Sequence, residues 1–301
     1  ILSPYQEFIT LDTEIKYLYS RLVVLNFIKD LFLGSGQLNK DGIRIHNEND
    51  LSEMRLSCRL AAETLDMIGE FVEPDITTER LNVLCHEFML DNGATPATLG
   101  YRGFPKSCCI SINHVVCHGI PGVKRIKEND ILNIDVTCIL GGWFGDSSRM
   151  YVAGHCTKKA HRLIEVTHES LMQGISMVKP GNTFGDIGAA IQQYVEGKKM
   201  SVVRDFCGHG VGRTFHSAPN VLHFGTKSSG AVLEPGMFFT IEPMVNLGGP
   251  ETKILSDNWT AVTKDKSLSA QFEHTVAVTS DGVEVLTLSP KNQFFPKTNF
   301  K

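Results

Sequence analysis

Part of this chain is written twice. Val72-Glu73-Pro74-Asp75-Ile76-Thr77 returns 106 residues later as Val178-Lys179-Pro180-Gly181-Asn182-Thr183, and the run from Lys127 to Asp135 is echoed by Leu233 to Glu242, with Asp135 and Glu242 107 apart. The flanking pattern repeats as well. Met54, Cys58, Ala61, Leu65 and Ile68 step by four, three, four and three, one apolar helical face. Pro74-Asp75 stops that helix, and Thr77 or Thr78 caps a second one carrying Leu81, Leu84, Cys85 and Phe88, which ends near Asn92-Gly93. Strand-like runs follow at 110–117, 131–140 and 143–152, the last two joined by Gly141-Gly142. In the second copy, residues 157–178 read as a helix, Pro180-Gly181 stops it, and Thr183 with Asp186 opens another in the manner of a capping box. A chain built this way folds as an α/β (α+β) protein in two pseudo-symmetric halves, and the seam between halves is a common place for a ligand.

The repeat gives meaning to four acids in strand-like surroundings. Asp135 lies in Asn133-Ile134-Asp135-Val136-Thr137, Asp146 in Phe144-Gly145-Asp146-Ser147, Glu242 in Thr240-Ile241-Glu242-Pro243 and Glu273 in Phe272-Glu273-His274-Thr275. Burying such acids is costly unless something positive pairs with them, and no Lys or Arg recurs beside all four. A pair of divalent cations is the economical partner, and it implies hydrolytic chemistry. A pseudo-twofold would bring Asp135 opposite Glu242 and Asp146 near Glu273. His209, in Gly208-His209-Gly210-Val211-Gly212, stands between the two units. One imidazole with four carboxylates is a hard, oxygen-rich set suited to Mn, Fe(II), Co or Zn rather than to a Cys-based structural zinc. The glycines do not make GxGxxG, so a nucleotide loop is disfavoured. His118 and His216 are further candidates, while His114, His155, His161, His168 and His223 read as ordinary core or surface imidazoles.

Composition narrows the class. With 42% apolar and 21% charged residues and a net charge of −4, the chain offers no reason to expect nucleic acid or an anionic membrane as partner. Its eight Cys contain no CxxC pair, which points to reduced core thiols and a cytoplasmic setting. Apolar Leu22–Ile28 is preceded by Glu7, Asp12 and Glu14, which counts against a targeting segment. The expected layout is a helical extension over residues 1–43, a catalytic domain over 44–290 and a tail over 291–301.

Taken in order, Cys117-His118-Gly119-Ile120-Pro121, Asn133–Val136, Gly145-Asp146, Gly208–Gly212, Phe215-His216, Thr240–Pro243 and Ser269–Thr275 resemble type I methionine aminopeptidase, over about residues 44–290. The resemblance implies the pita-bread fold, an antiparallel sheet flanked by helices in two related halves. It implies a dinuclear centre ligated by Asp135, Asp146, His209, Glu242 and Glu273, with Asp146 and Glu273 bridging. The implied reaction removes the N-terminal methionine from nascent polypeptides, with Glu242 as proton shuttle, His118 assisting proton transfer or positioning the substrate's N-terminus, and His216 hydrogen-bonding the scissile amide and stabilising the tetrahedral intermediate. Tyr101, Phe104, Cys109, Phe215 and Trp259 match pocket-lining positions. Phe104 stands where many bacterial relatives have Tyr, and Thr98 where some have Cys. The resemblance further implies a monomer that meets its substrates at the ribosome, with no nucleic-acid substrate and no membrane. Two other readings share the fold: a proline-specific aminopeptidase or dipeptidase, expected to need a larger N-terminal domain than residues 1–43 provide, and a non-catalytic binding module, expected to have lost ligands.

Overall fold

The structure, a computed structural model, describes residues 36–296 and the backbone of Asn299–Phe300. The expected helical extension lies outside the described residues up to residue 35. Its remaining residues, 36–43, are not helical. Gln37–Leu38 pairs antiparallel with Arg44–Ile45, and Asn39 ties the turn by accepting the N–H groups of Asp41 and Ile43 on its side-chain oxygen. Asn39 also donates to Glu234 at 2.7 Å.

In the first half, helix α1 spans Glu48–Ile68 and α2 spans Thr78–Asp91. Asn47 caps α1 by accepting from the N–H groups of Asn49 and Asp50, and Asp50 accepts the Asn47 N–H in return. The five periodic residues from Met54 to Ile68 are all buried. Thr77, not Thr78, caps α2, accepting from the Arg80 N–H at 3.1 Å. Strands β1 (Cys109–Ile112), β2 (Ile131–Leu140) and β3 (Trp143–Val152) follow. In the second half, α3 spans Lys158–Ser176 and α4 Phe184–Gly197. The Asp186 carboxylate accepts both the N–H and the hydroxyl of Thr183, the reciprocal contact expected at the start of α4. Then come β4 (Gly208–Gly210), β5 (Ser217–Val221), β6 (Phe238–Ile241), β7 (Met244–Asn246), β8 (Ser269–Gln271), β9 (His274–Val278) and β10 (Val283–Val285).

The sequence repeat is a repeat of hydrogen bonds. Asp75 N–H donates to Ile126 O, Ile126 N–H to Ile76 O, and Thr77 bridges Arg125; in the second half Gly181 donates to Leu233 O, Leu233 to Asn182 O, and Thr183 bridges Val232. The turns agree too. Asp75 (φ 71°) corresponds to Gly181 (φ 89°), and Asn129 (φ 70°) to Gly236 (φ 91°). Asp, Asn and Gly are the residues that enter this left-handed region at low cost.

Each half has its own core. Leu65, Ile68, Leu81, Ile110 and Ile134 pack together in the first, and Leu163, Ile164, Ile187, Ile191 and Phe239 in the second. In the first half β2 pairs with β3 along its whole length and with β1 and Thr95–Pro96 on its other side. In the second half the five-stranded sheet runs β5-β4-β6-β9-β10, and β7 and β8 pair in a separate sheet. The two halves meet where β3 passes β9. Glu273 N–H donates to Ser148 O, Ser147 Oγ to Glu273 O at 2.8 Å, and Thr275 Oγ1 to Asp146 O at 2.7 Å. On the outer side, buried Asp66 of α1 pairs with Arg149 at 2.7 Å and accepts from Ser289 Oγ and Lys291 N–H, so the tail expected from residue 291 begins as a strap across α1. Among the described residues no helix is long and apolar enough to cross a membrane.

Candidate active site

Strand register places the acids. Thr137 pairs with Asp146, and Asp135 with Ser148, in the β2–β3 hairpin. Residues 135 and 137 share a face, so Asp135 and Asp146 are diagonal neighbours on one side of the hairpin. The second half does the same differently. Ile241 pairs with His274 and Met244 with Gln271, one continuous register in which Glu242 and Glu273 would stand opposite each other. The ladder is interrupted there, and Pro243, with no N–H, accounts for the gap on one strand. Both glutamates therefore sit at a break between two sheets, with their side chains at the seam. β4 brings in His209. Its flanking glycines answer to the neighbouring strands: a Cβ at Gly208 would collide with Thr240 O, and one at Gly210 with Ala218 O.

The side chains converge. Ligand atoms of Asp146, His209 and Glu273 all lie within 4.8 Å of one another, and all three residues are buried. His209 Nε2 is 3.5 Å from Asp146 Oδ2 and 3.7 Å from Glu242 Oε1. The ring's Nδ1 lies 3.2 Å from Gly210 O. A carbonyl can only accept, so Nδ1 carries the proton and Nε2 faces the acids with its lone pair. Each carboxylate that approaches His209 also takes a threonine hydroxyl: Thr137 donates to Asp146 Oδ1 at 2.8 Å, Thr240 to Glu242 Oε1 at 2.7 Å.

Crowding four acids in one dry site is unfavourable to charge. Burial pushes the Asp135 carboxyl up to about 7. Burial first, and then mutual repulsion, drives Asp146 and Glu273 well above the usual carboxylate range; burial does the same to Glu242, against the Thr240 hydrogen bond. Burial drops His209 to about 4. Among the described residues no Lys or Arg pairs with any of the four. A site of acids that cannot all ionise, facing a neutral imidazole lone pair, is what a multivalent cation would complete, and the donor set fits a hard or borderline divalent ion.

These groups lie in the wall of a cavity of about 450 Å³, a size suited to a small ligand. All twelve candidates named from the sequence line it. Phe104 meets Trp259 edge-on at 5.2 Å and Tyr101 packs on Phe215 at 4.7 Å, while Cys109 supplies a buried thiol. His118, in the left-handed region at φ 55°, sits edge-on to Phe206 and Trp259. His216 is exposed on one side, stacks on Tyr101 at 5.2 Å and packs tilted against His209 at 4.1 Å. Burial lowers the pKa of both rings, helped at His216 by His209, Arg102 and His118, so each is a neutral imidazole near pH 7.

Residues 52–280 match Metallopeptidase family M24. The methionine aminopeptidase of Rickettsia prowazekii is 57% identical over 256 residues, 84% of this chain and 98% of that one. The chain belongs to the methionine aminopeptidase family.

Solved structures agree with that membership. The crystal structure of the Rickettsia methionine aminopeptidase superposes with a TM-score of 0.81 at 56% identity, covering 82% of this chain and 100% of that one. The methionine aminopeptidase of Thermotoga maritima gives 0.80 at 37% identity, covering 81% and 99%. The prolidase of Pyrococcus horikoshii shares the fold alone, with 0.64 at 20% identity over 85% of this chain and 64% of that one. The fold is the M24 pita-bread fold, and membership of a metallopeptidase family implies metal ions, for which the buried Asp146–His209–Glu273 group offers ligands.

Several residues of this methionine aminopeptidase site were not singled out from the sequence. Thr137 and Thr240 each lie two residues from an acid along a strand, a same-face spacing that was available as a signal. Cys207, read as a core thiol, is half-buried and lines the same cavity as Met244 and Gln271. His223, read as an ordinary imidazole, is wholly buried and accepts the Glu242 backbone N–H on Nε2 at 3.1 Å. Nothing in its sequence spacing marks it, because the contact depends on how the segment after β5 returns to the end of β6.

Proposed function

We propose that this chain removes N-terminal methionine from peptides at a two-metal centre that Asp135, Asp146, His209, Glu242 and Glu273 would hold. The observation that carries the proposal is the convergence of Asp146, His209 and Glu273 ligand atoms at an apolar-walled cavity. Divalent cations such as Mn, Fe(II), Co or Zn, bound there, would supply Lewis-acid polarisation of the scissile carbonyl and would lower the pKa of a water.

The chain's own groups supply the rest. The methionine side chain enters between Tyr101, Phe104, Cys109, Phe215 and Trp259, where a thioether gains contacts with aromatic edges and a polarisable thiol. Glu242 takes a proton from the attacking water and returns it to the departing amide nitrogen. Its two oxygens are held apart for this by Thr240 Oγ1 and by Gln271 Nε2, the latter at 3.3 Å. His216, neutral and facing His209, donates to the carbonyl oxygen as negative charge develops there. His118 lines the cavity beside Phe206 and holds the peptide against the acids.

The test is hydrolysis of Met-Ala-Ser against Ala-Pro-Ser by protein supplied with Mn(II) or Co(II). Free methionine from the first and nothing from the second is the expected result. Cleavage of the proline peptide alone would move the chain to the prolidase-like activity, and metal binding without any hydrolysis would make it a binding module.

A further inference from the structure

The backbone N–H of Glu242 falls at the strand break. β6 ends at Ile241, Pro243 has no N–H, and β7 resumes only at Met244. The acceptor for the Glu242 N–H is the imidazole of His223, at 3.1 Å. An imidazole accepts only through its bare nitrogen, so Nε2 is unprotonated and the hydrogen sits on Nδ1. That Nδ1 is buried with no hydrogen-bond partner among the described residues. A wholly buried polar ring with one side unpaired calls for a reason. We infer that His223 is a positioning residue for the reaction: its bond to the main chain fixes the peptide plane at Glu242 and so the direction in which that carboxylate enters the cavity. This rests on the role proposed above for Glu242.

The surroundings support it. His223 follows β5, in the same hairpin that carries His209 on β4, where His209 pairs with Asn220. One hairpin thus presents His209 to the site and holds Glu242 beside it. The hairpin end is clamped by α4, because a Cβ at Gly188 would stand 2.5 Å from Phe224 O and 2.7 Å from Leu222 O. The carbonyls on either side of His223 therefore lie directly on the helix, and the ring cannot withdraw without moving it. The first half has no such residue because it needs none. Asp135 lies inside unbroken β2, its backbone paired with Ser148 on one side and Cys109 on the other.

His223→Leu removes the acceptor, while His223→Gln places an amide oxygen near the Nε2 position. Leucine should weaken Mn(II) affinity, read by calorimetry, and lower kcat, each by about ten- to a hundred-fold, with KM for Met-Ala-Ser little changed; glutamine should recover most of both. The visible spectrum of the Co(II)-loaded protein should change in the leucine variant and return toward wild type in the glutamine variant. Should leucine fail to fold, nitrogen-15 spectra of the wild type decide: His223 as the neutral Nδ1–H tautomer coupled to the Glu242 amide is expected, and an Nε2–H tautomer overturns the inference. Equal losses in both variants, or none in either, also overturn it. If the wild type itself neither binds Mn(II) nor releases methionine, the proposed function fails instead.

Discussion

Thr240 connects two parts of the site through one hydroxyl. Its Oγ1, on a wholly buried residue, accepts the His209 backbone N–H at 3.0 Å and donates to Glu242 Oε1 at 2.7 Å. Thr240→Val keeps the shape and removes both bonds. The His209 N–H is then left buried without its acceptor, which costs about 1–3 kcal/mol. At about 2–4 °C per kcal/mol for a domain of this size, the melting temperature should fall by roughly 2–12 °C. The same change frees one Glu242 oxygen, so Mn(II) affinity or turnover should drop about ten- to a hundred-fold. Thr240→Ser retains the hydroxyl and should stay close to wild type. Scanning fluorimetry without metal reads the first effect, and calorimetry with Mn(II) and hydrolysis of Met-Ala-Ser read the second. A valine variant with wild-type melting and Mn(II) affinity would refute the reasoning, as would a serine variant as impaired as valine.

Asp146→Ala removes a carboxylate whose oxygen lies within 4.8 Å of ligand atoms of both His209 and Glu273, and metal-dependent release of methionine should disappear; turnover near wild type would exclude Asp146 as a metal ligand. In protein stripped of metal, Asp135 titrates near 7 in place of its ordinary value of 3.8. The folded state holds that proton more tightly, so its stabilising effect is full below about pH 4 and is lost as pH rises through 7, on the order of 4 kcal/mol in all. Chemical denaturation of the stripped protein at pH 5 and pH 8 should therefore show wild type losing stability relative to Asp135→Asn as pH rises, and parallel curves would contradict the burial of that group. Asp66→Ala strands the Arg149 guanidinium, buried at the α1 strap, and should destabilise by about 3–5 kcal/mol while leaving kcat unchanged in folded protein. A loss under 1 kcal/mol, measured in urea, would show that the strap contributes little.

The repeat was readable because both copies must turn the chain at the same places. Proline, glycine, aspartate and asparagine mark those turns whatever the rest of the chain does, and the hydrogen bonds around Asp75 and Gly181 follow. Helix faces were equally legible, since burial of a helix imposes its period on the residues. The acids stood out because a carboxylate among β-formers contradicts its surroundings. Cys207 and His223 carry no such contradiction. A thiol or an imidazole is at home in a core, and only the folded path of the chain turns Cys207, just before β4, toward the cavity and His223, after β5, toward Glu242.

The sequence by itself determined the two-half plan, the helix starts, the acid set with its imidazole and, through matching motifs, the family. Local constraints act over a few residues and leave their mark there. The tertiary structure alone decided how the acids meet: an unbroken hairpin sets Asp135 and Asp146 diagonally, while a broken ladder turns Glu242 and Glu273 into the seam. It also decided what holds them, with Thr137, Thr240 and Gln271 drawn from separate strands and His223 from the segment after β5. Those contacts join residues up to 29 positions apart, as between Glu242 and Gln271, and such pairings exist only once the sheets have closed.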